Sequence, residues 1–199
     1  MRLKILAIML LTVHLSFAQR ADVESYRQLY VHDMNLNKTG MTILGSWAVA
    51  NVVGGVTGLA VATDKEAKAF WGMNAIWGAV NTGFAVMGYW GANREKKMQY
   101  SCDVLVEKHE FYKNLFLLNA GLDVAYIGTG LVLNSYANDF NNPAMIHGFG
   151  KSIAMQGIAL ILFDGTMYTL HKKQDNKWYK LLQGICVTGN GIGFRYALN

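Results

Sequence analysis

The sequence predicts an all-α membrane protein: a bundle of four transmembrane helices with a short fifth helix near the C-terminus, all behind a cleaved signal peptide. Three observations carry this. The 199 residues are 52% hydrophobic and 16% charged, with 21 glycines and one proline, a composition poor in charge and rich in small side chains. The charges are missing in blocks rather than thinly spread. The first 18 residues have the basic start (Arg2, Lys4), the apolar run and the small residues Ser16 and Ala18 that a signal peptidase accepts.

In chain order, residues 1–18 form the signal peptide and residues 19–39 an amphipathic lead-in lying against the membrane surface; residues 40–199 form the bundle domain. Residues 41–63 and 69–93 hold no charge; 114–138 hold only Asp123 and 152–170 only Asp164. Each block is long enough to cross a hydrocarbon core of about 30 Å as a helix rising about 1.5 Å per residue. "DKEAK" joins the first two, the basic stretch 94–113 forms the next loop, and "NDFNNPAM" carries Pro143, at home in a first helical turn. The Gly-rich stretch 181–194 fits a tilted helix, a re-entrant piece or an interfacial one.

Steps of three and four residues collect one face of each helix. The faces read Ala48, Asn51, Gly55, Gly58; Asn74, Gly78, Asn81, Ala85, Gly88; Asn119, Asp123, Tyr126, Gly130; and Gly150, Ala154, Gly157, Asp164, Tyr168, His171. In lipid, helices associate through close packing of small residues and through interhelical hydrogen bonds, and such stripes supply both. An ionised Asp near a helix centre costs about 2.5–3.5 kcal/mol on insertion scales, so Asp123 and Asp164 need a reason to be there. Counted from the basic flanks, both lie roughly 12–15 Å deep. The expected layer unites Asp123 and Asp164 with Asn51, Asn81 and Asn119, and sets Tyr126 and Tyr168 one turn away. It is either an ion, proton or polar-ligand site or a neutral pair that fixes helix register. Lys151 either snorkels to the interface or forms a mouth with Gln156 and Asn74.

His109 and His171 fall on the same side and can meet near the surface, where a metal or a haem is the minor alternative; the leading expectation is interfacial histidines, with no metal and no cofactor. Cys102 and Cys186 are too few for a disulfide framework, and no Cys/His spacing suggests zinc. GxSxG, P-loop and HExxH motifs are missing, so the sequence leans away from an enzyme. The net charge of +5 comes from basic residues flanking apolar segments, which favours lipid headgroups over nucleic acid as partner. Cleavage of the signal peptide would leave the basic 94–113 and 172–180 stretches outside the cell, whereas the positive-inside rule places them inside.

The strings "LNKTGM", "LGSWAVAN", "MNAIWGAVN", "NAGLDVAY", "GKSIAMQG" and "FDGTMY" together resemble an uncharacterised family of signal-bearing, multi-helix membrane proteins of Bacteroidota, over about residues 35–171. The resemblance implies a helical bundle in the bacterial cell envelope and implies no activity; the expected location is the inner membrane, as an integral multi-pass protein. The leading expectation is a structural or accessory subunit of the cell envelope, with a protein partner or a second copy of the chain docking on an aromatic patch around Trp71, Trp77 and Trp90. The alternative is ion, proton or small polar ligand binding or transport at the Asp/Asn layer, and a membrane enzyme comes third.

Overall fold

The computed structural model describes residues 2–182, 185–188 and 191–194, with side chains for 23–181. Its elements are α1 (Arg2–Val61), α2 (Lys65–Glu95), α3 (Cys102–Ser135), α4 (Pro143–Lys172) and α5 (Asp175–Leu182), with a 3-10 turn (Ala137–Asp139) between α3 and α4. A two-stranded antiparallel ribbon, β1 (Ile185–Thr188) and β2 (Gly191–Phe194), follows α5. The helix ends have local causes. Asp64, in an extended conformation, accepts a hydrogen bond from the Ala67 backbone N–H at 2.8 Å and starts α2, while Pro143 occupies the first turn of α4, where its missing N–H costs nothing.

Four long helices make the body, α1 paired with α2 and α3 with α4, and the two hairpins join chiefly through α2 against α4. The small-residue faces lie at these seams. A Cβ at Gly55 would sit 2.5 Å from the Ala75 backbone nitrogen, and one at Gly78 would sit 2.7 Å from the Ala48 carbonyl, so α1 and α2 touch backbone to backbone. Gly130 and Gly150 bring α3 and α4 together in the same way. Between helices, polar groups are inside and apolar groups outside: Asn51, Asn74, Asn81, Asp123, Gln156 and Asp164 are buried, while Val53, Ile76, Phe84, Leu118, Leu131 and Leu162 are exposed.

Three stretches, Val23–Val61, Cys102–Ser135 and Pro143–Leu181, are long and apolar enough to cross a membrane. At 31 residues α2 matches them in length but is not among them, because its Asn, Gly and Trp residues dilute its hydropathy; four spans were expected from the missing charges alone. The 39 residues of Val23–Val61 extend about 58 Å, nearly twice a hydrocarbon core. The excess builds a head at one end of the bundle. Tyr26, Tyr30 and Met34 of α1 pack there with Cys102 and Leu105 of α3, Ala92 of α2 and Trp178 of α5.

The head departs from the sequence expectations. Residues 23–39 continue α1 without a break and pack into the head, rather than forming a separate lead-in on the membrane surface. Tyr26, Tyr30, Asp33, Asn37, Leu44, Ala48 and Asn51 share one buried face. Of the basic stretch 94–113 only residues 96–101 form a loop, since α2 runs to Glu95 and α3 starts at Cys102. Charged residues alternate there with Cys102, Leu105, His109 and Lys113, which share a buried helical face with Phe116 and draw the segment into α3. The short fifth helix exists, but as α5, and of the 181–194 stretch residues 185–188 and 191–194 form a ribbon rather than a helix. Ile185, Val187 and Thr188 are β-branched and Phe194 is aromatic, residue types that favour strands.

Candidate functional site

Asp123 of α3 and Asp164 of α4 meet. Their carboxyls are hydrogen-bond partners, and Asn119, one turn before Asp123, reaches Asp164. An antiparallel hairpin whose seam is set by Gly130 and Gly157 brings two positions of equal depth face to face. The pair lines a cleft of about 560 Å³ walled by α2 and α3 and floored by α1 and α4. Asn81 and Tyr126 also line it, as does Asn37, and Tyr126 lies edge-on to Trp77 with ring centroids 5.1 Å apart. Exposed Phe84, Met87, Leu115 and Leu122 form its rim. Inside, Asp123 Oδ2 and Asn81 Nδ2 are buried without a hydrogen-bond partner among the described residues. Each such group costs about 1–3 kcal/mol unless something supplies its partner.

Asn51 and Gln156 do not belong to this layer. Gln156 is eight residues, about 12 Å, along α4 from Asp164 and is fully buried. Its Nε2 donates to Asn51 Oδ1 and Asn74 Oδ1, both at 2.6 Å, and its Oε1 accepts from Trp47 Nε1 at 3.3 Å. The amide nitrogens of Asn51 and Asn74 donate to the Trp47 and Phe70 carbonyls one turn back. Every amide is satisfied, and the knot ties α1, α2 and α4 together. Depth along a helix had placed Asn51 with the carboxyls, but packing partners are set by rotation as well, and Asn51 faces Asn74.

Lys151 does not join Gln156 in a mouth. It pairs with Glu66 at the end of the bundle far from the head and is exposed. Tyr168 turns outward under the Lys172 ammonium, 5.6 Å from its ring centroid, and is not part of the cleft. Of the three tryptophans expected to form a patch, Trp90 is exposed, but Trp71 packs over Gly58 and Trp77 lines the cleft.

The head holds a second polar cluster. His109 lies between two carboxylates, Nδ1 at 2.7 Å from Asp33 Oδ2 and Nε2 at 2.9 Å from Asp175 Oδ1. Lys113 bonds both oxygens of Asp175 and also Glu110. His171 Nε2 donates to Asn37 Oδ1 at 2.8 Å, and Trp178 Nε1 donates to Asp33 Oδ2 at 3.1 Å. Aromatic rings clamp both imidazoles: Trp178 stacks on His109 at 4.8 Å and Phe116 on His171 at 5.5 Å. The two histidines do meet, with ring centroids 6.2 Å apart, but they are buried rather than interfacial. Asp33, Asn37, Asp175 and Trp178 were absent from the sequence-derived candidates, since 19–39 read as surface lead-in. The signal available was the spacing of Tyr26, Tyr30, Asp33 and Asn37 in phase with the buried face of the following span.

The description "Family of unknown function (DUF6992)" matches residues 43–165, more than half of the chain, and the protein belongs to that family. No curated protein and no solved structure matches it. The matched segment contains the cleft residues Asn81, Asn119, Asp123 and Asp164 and the whole amide knot, whereas Asp33, Asn37 and His171 of the head lie outside it.

Proposed function

We propose that this member of a family of unknown function is an integral protein of the bacterial inner membrane that takes a small amphipathic molecule into the Asp123–Asp164 cleft. Support for insertion comes from the inverted arrangement of the bundle, with amides and carboxyls inside and large apolar side chains outside, where water would penalise them. In this reading residues 1–18 are an export signal cleaved after Ala18, so the mature protein starts at Gln19; N-terminal sequencing that finds Met1 instead would refute the cleavage.

The observation that carries the ligand assignment is the pair of unpartnered groups, the Asp123 Oδ2 acceptor and the Asn81 Nδ2 donor, inside a cleft with an apolar rim. A hydroxyl can donate to the first and accept from the second. Two carboxyls in contact share a proton, so the site carries at most one negative charge, which suits an amine and repels an anion. The polar head of the ligand is therefore a hydroxyl or an amino alcohol, and its apolar part lies along Phe84, Met87 and Leu122. At about 560 Å³ the cleft is of ordinary size for such a molecule. The bilayer supplies the entry route, because α2 and α3 stand apart at the rim.

The test uses thermal unfolding of the purified protein in lipid–detergent micelles with 2-(dodecylamino)ethanol as probe and dodecanoate as its anionic counterpart. Asn81→Leu replaces the unpartnered donor with an apolar side chain of similar size and so removes the polar end of the site while leaving no buried group unpaired at that position. The amino alcohol should raise the melting temperature of the wild type and not that of Asn81→Leu, while dodecanoate should raise neither. An equal rise in both proteins would refute the assignment.

The amide knot supports a second reading, the structural or accessory subunit, because it is dry, fully satisfied and links three helices. That reading accounts for Asn51, Asn74 and Gln156. It leaves the open cleft and its two unpartnered groups without a cause.

A further inference from the structure

The geometry points to a metal site in the head: Asp33, His109 and His171 form a two-histidine, one-carboxylate set for a divalent first-row transition ion. The inference goes beyond the cleft and does not depend on it. The three residues come from α1, α3 and α4 and are essentially sealed from solvent, at 1%, 0% and 0% exposure. Their ligand atoms lie within 4.8 Å of one another.

The decisive contact is between Asp33 Oδ1 and His171 Nδ1. They face each other at 3.9 Å, and neither atom has a hydrogen-bond partner among the described residues. The distance is too long for a hydrogen bond. Asn37 Oδ1 can only accept, so the His171 ring places a proton on Nε2, and in the neutral imidazole Nδ1 presents a lone pair to a carboxylate oxygen. Two buried acceptors aimed at each other need something positive between them. Two metal–ligand bonds of about 2.1 Å span 3.9 Å at an angle of about 135°, and closing the gap by about 0.5 Å gives a tetrahedral angle.

The surroundings match what metal-bound histidines require. A ligating imidazole donates its second N–H to a carboxylate or carbonyl, which fixes the tautomer and aims the free nitrogen at the ion. Both rings do so here: His171 Nε2 to Asn37 Oδ1, and His109 Nε2 to Asp175 Oδ1, which leaves Nδ1 of each toward Asp33. The Trp178 indole holds Asp33 Oδ2. On binding, the ion takes the place of the proton shared by His109 Nδ1 and Asp33 Oδ2. The charges in contact also agree: with that proton displaced, Asp33, Asp175 and Glu110 outnumber the ammonium of Lys113 by two. Nitrogen ligands select a borderline ion such as zinc, cobalt or iron over magnesium or calcium. Met34 and Asn37 line the cleft, so an ion bound one turn away would brace its head-side wall.

The test uses the full chain in detergent, purified without a histidine tag, stripped with chelator and reloaded with Zn²⁺ or Co²⁺. The wild type should retain one equivalent of Zn²⁺ after gel filtration, unfold at a higher temperature with it, and give the visible absorption of nitrogen-ligated Co²⁺. Asp33→Asn and His171→Gln should bind about 100-fold more weakly and Asn37→Ala about 10-fold, whereas His147→Gln, at the opposite end of α4, should bind like the wild type. Should the ligand variants fail to fold, the wild-type Co²⁺ spectrum decides alone. A wild type that retains no ion and shows no such spectrum would overturn the site, leaving a proton or a water between Asp33 and His171. Wild-type affinity in both Asp33→Asn and His171→Gln would overturn it equally.

Discussion

Replacing Gln156 by Ala removes the centre of the amide knot. It breaks two hydrogen bonds of 2.6 Å, to Asn51 and Asn74, and one of 3.3 Å from Trp47, and leaves two carbonyl oxygens and an indole N–H unpartnered between helices. Interhelical hydrogen bonds in membranes average about 0.6 kcal/mol and reach about 1.7, so the two short bonds contribute about 1–3 kcal/mol and the longer one about 0.5. Lost packing of a fully buried side chain adds about 1 kcal/mol, for an expected destabilisation of about 3–4 kcal/mol. Reversible unfolding by SDS titration in mixed micelles measures this. Combining Gln156→Ala with Asn74→Ala should recover a coupling of about 0.6–1.7 kcal/mol, since the second mutation removes a group that the first had already orphaned. A loss under about 1 kcal/mol with no coupling would refute the idea that the knot holds α1, α2 and α4 together.

Two further substitutions probe the seams and the head. Gly130→Val places a side chain against the α4 backbone at Gly150 and Ala154 and should destabilise by about 1–3 kcal/mol or prevent folding, whereas Gly121→Ala on the same helix, where a Cβ meets nothing, should stabilise by about 0.5–1 kcal/mol; thermal unfolding of both reads the contrast. At the head end of α2, Glu95 is held below the usual carboxylate range: burial alone would raise it, but hydrogen bonds from Tyr30, Lys108 and Tyr100 outweigh that. Its stabilising contribution is therefore complete above the ordinary Glu pKa of about 4.3 and lost as pH falls through the lower folded value. The stability gap between wild type and Glu95→Gln, about 1 kcal/mol at neutral pH for a partly exposed cluster, should close as pH falls below the ordinary Glu range, and a gap independent of pH would contradict the ion-pair account.

The parts legible in the sequence were those in which one physical rule acts alone. Missing charges marked the long helices. Three- and four-residue spacing found the faces that meet at Gly55, Gly78, Gly130 and Gly150, because close backbone approach admits no side chain. Equal depth in an antiparallel hairpin anticipated the meeting of Asp123 and Asp164. Depth says nothing of rotation about the helix axis, and so Asn51 and Tyr168 were grouped with carboxyls they do not touch. The head was not legible because hydropathy averages over a window: Arg27, Asp33 and Lys38 dilute the first segment, as Lys108, His109 and Lys113 do the third, although each continues the buried face of the helix beyond it. Buried charges that satisfy one another look like a solvated loop until their partners from other helices are placed.

Native mass spectrometry of the protein extracted gently from its own membrane tests the central claim most directly. The wild type should leave the micelle carrying one amphipathic molecule with a hydroxyl or amino alcohol head, and Asn81→Leu, folded but without the donor that holds that head, should leave without it. A wild type that emerges bare, or an Asn81→Leu protein that keeps the same adduct, would contradict the reading of the Asp123–Asp164 cleft as a binding site.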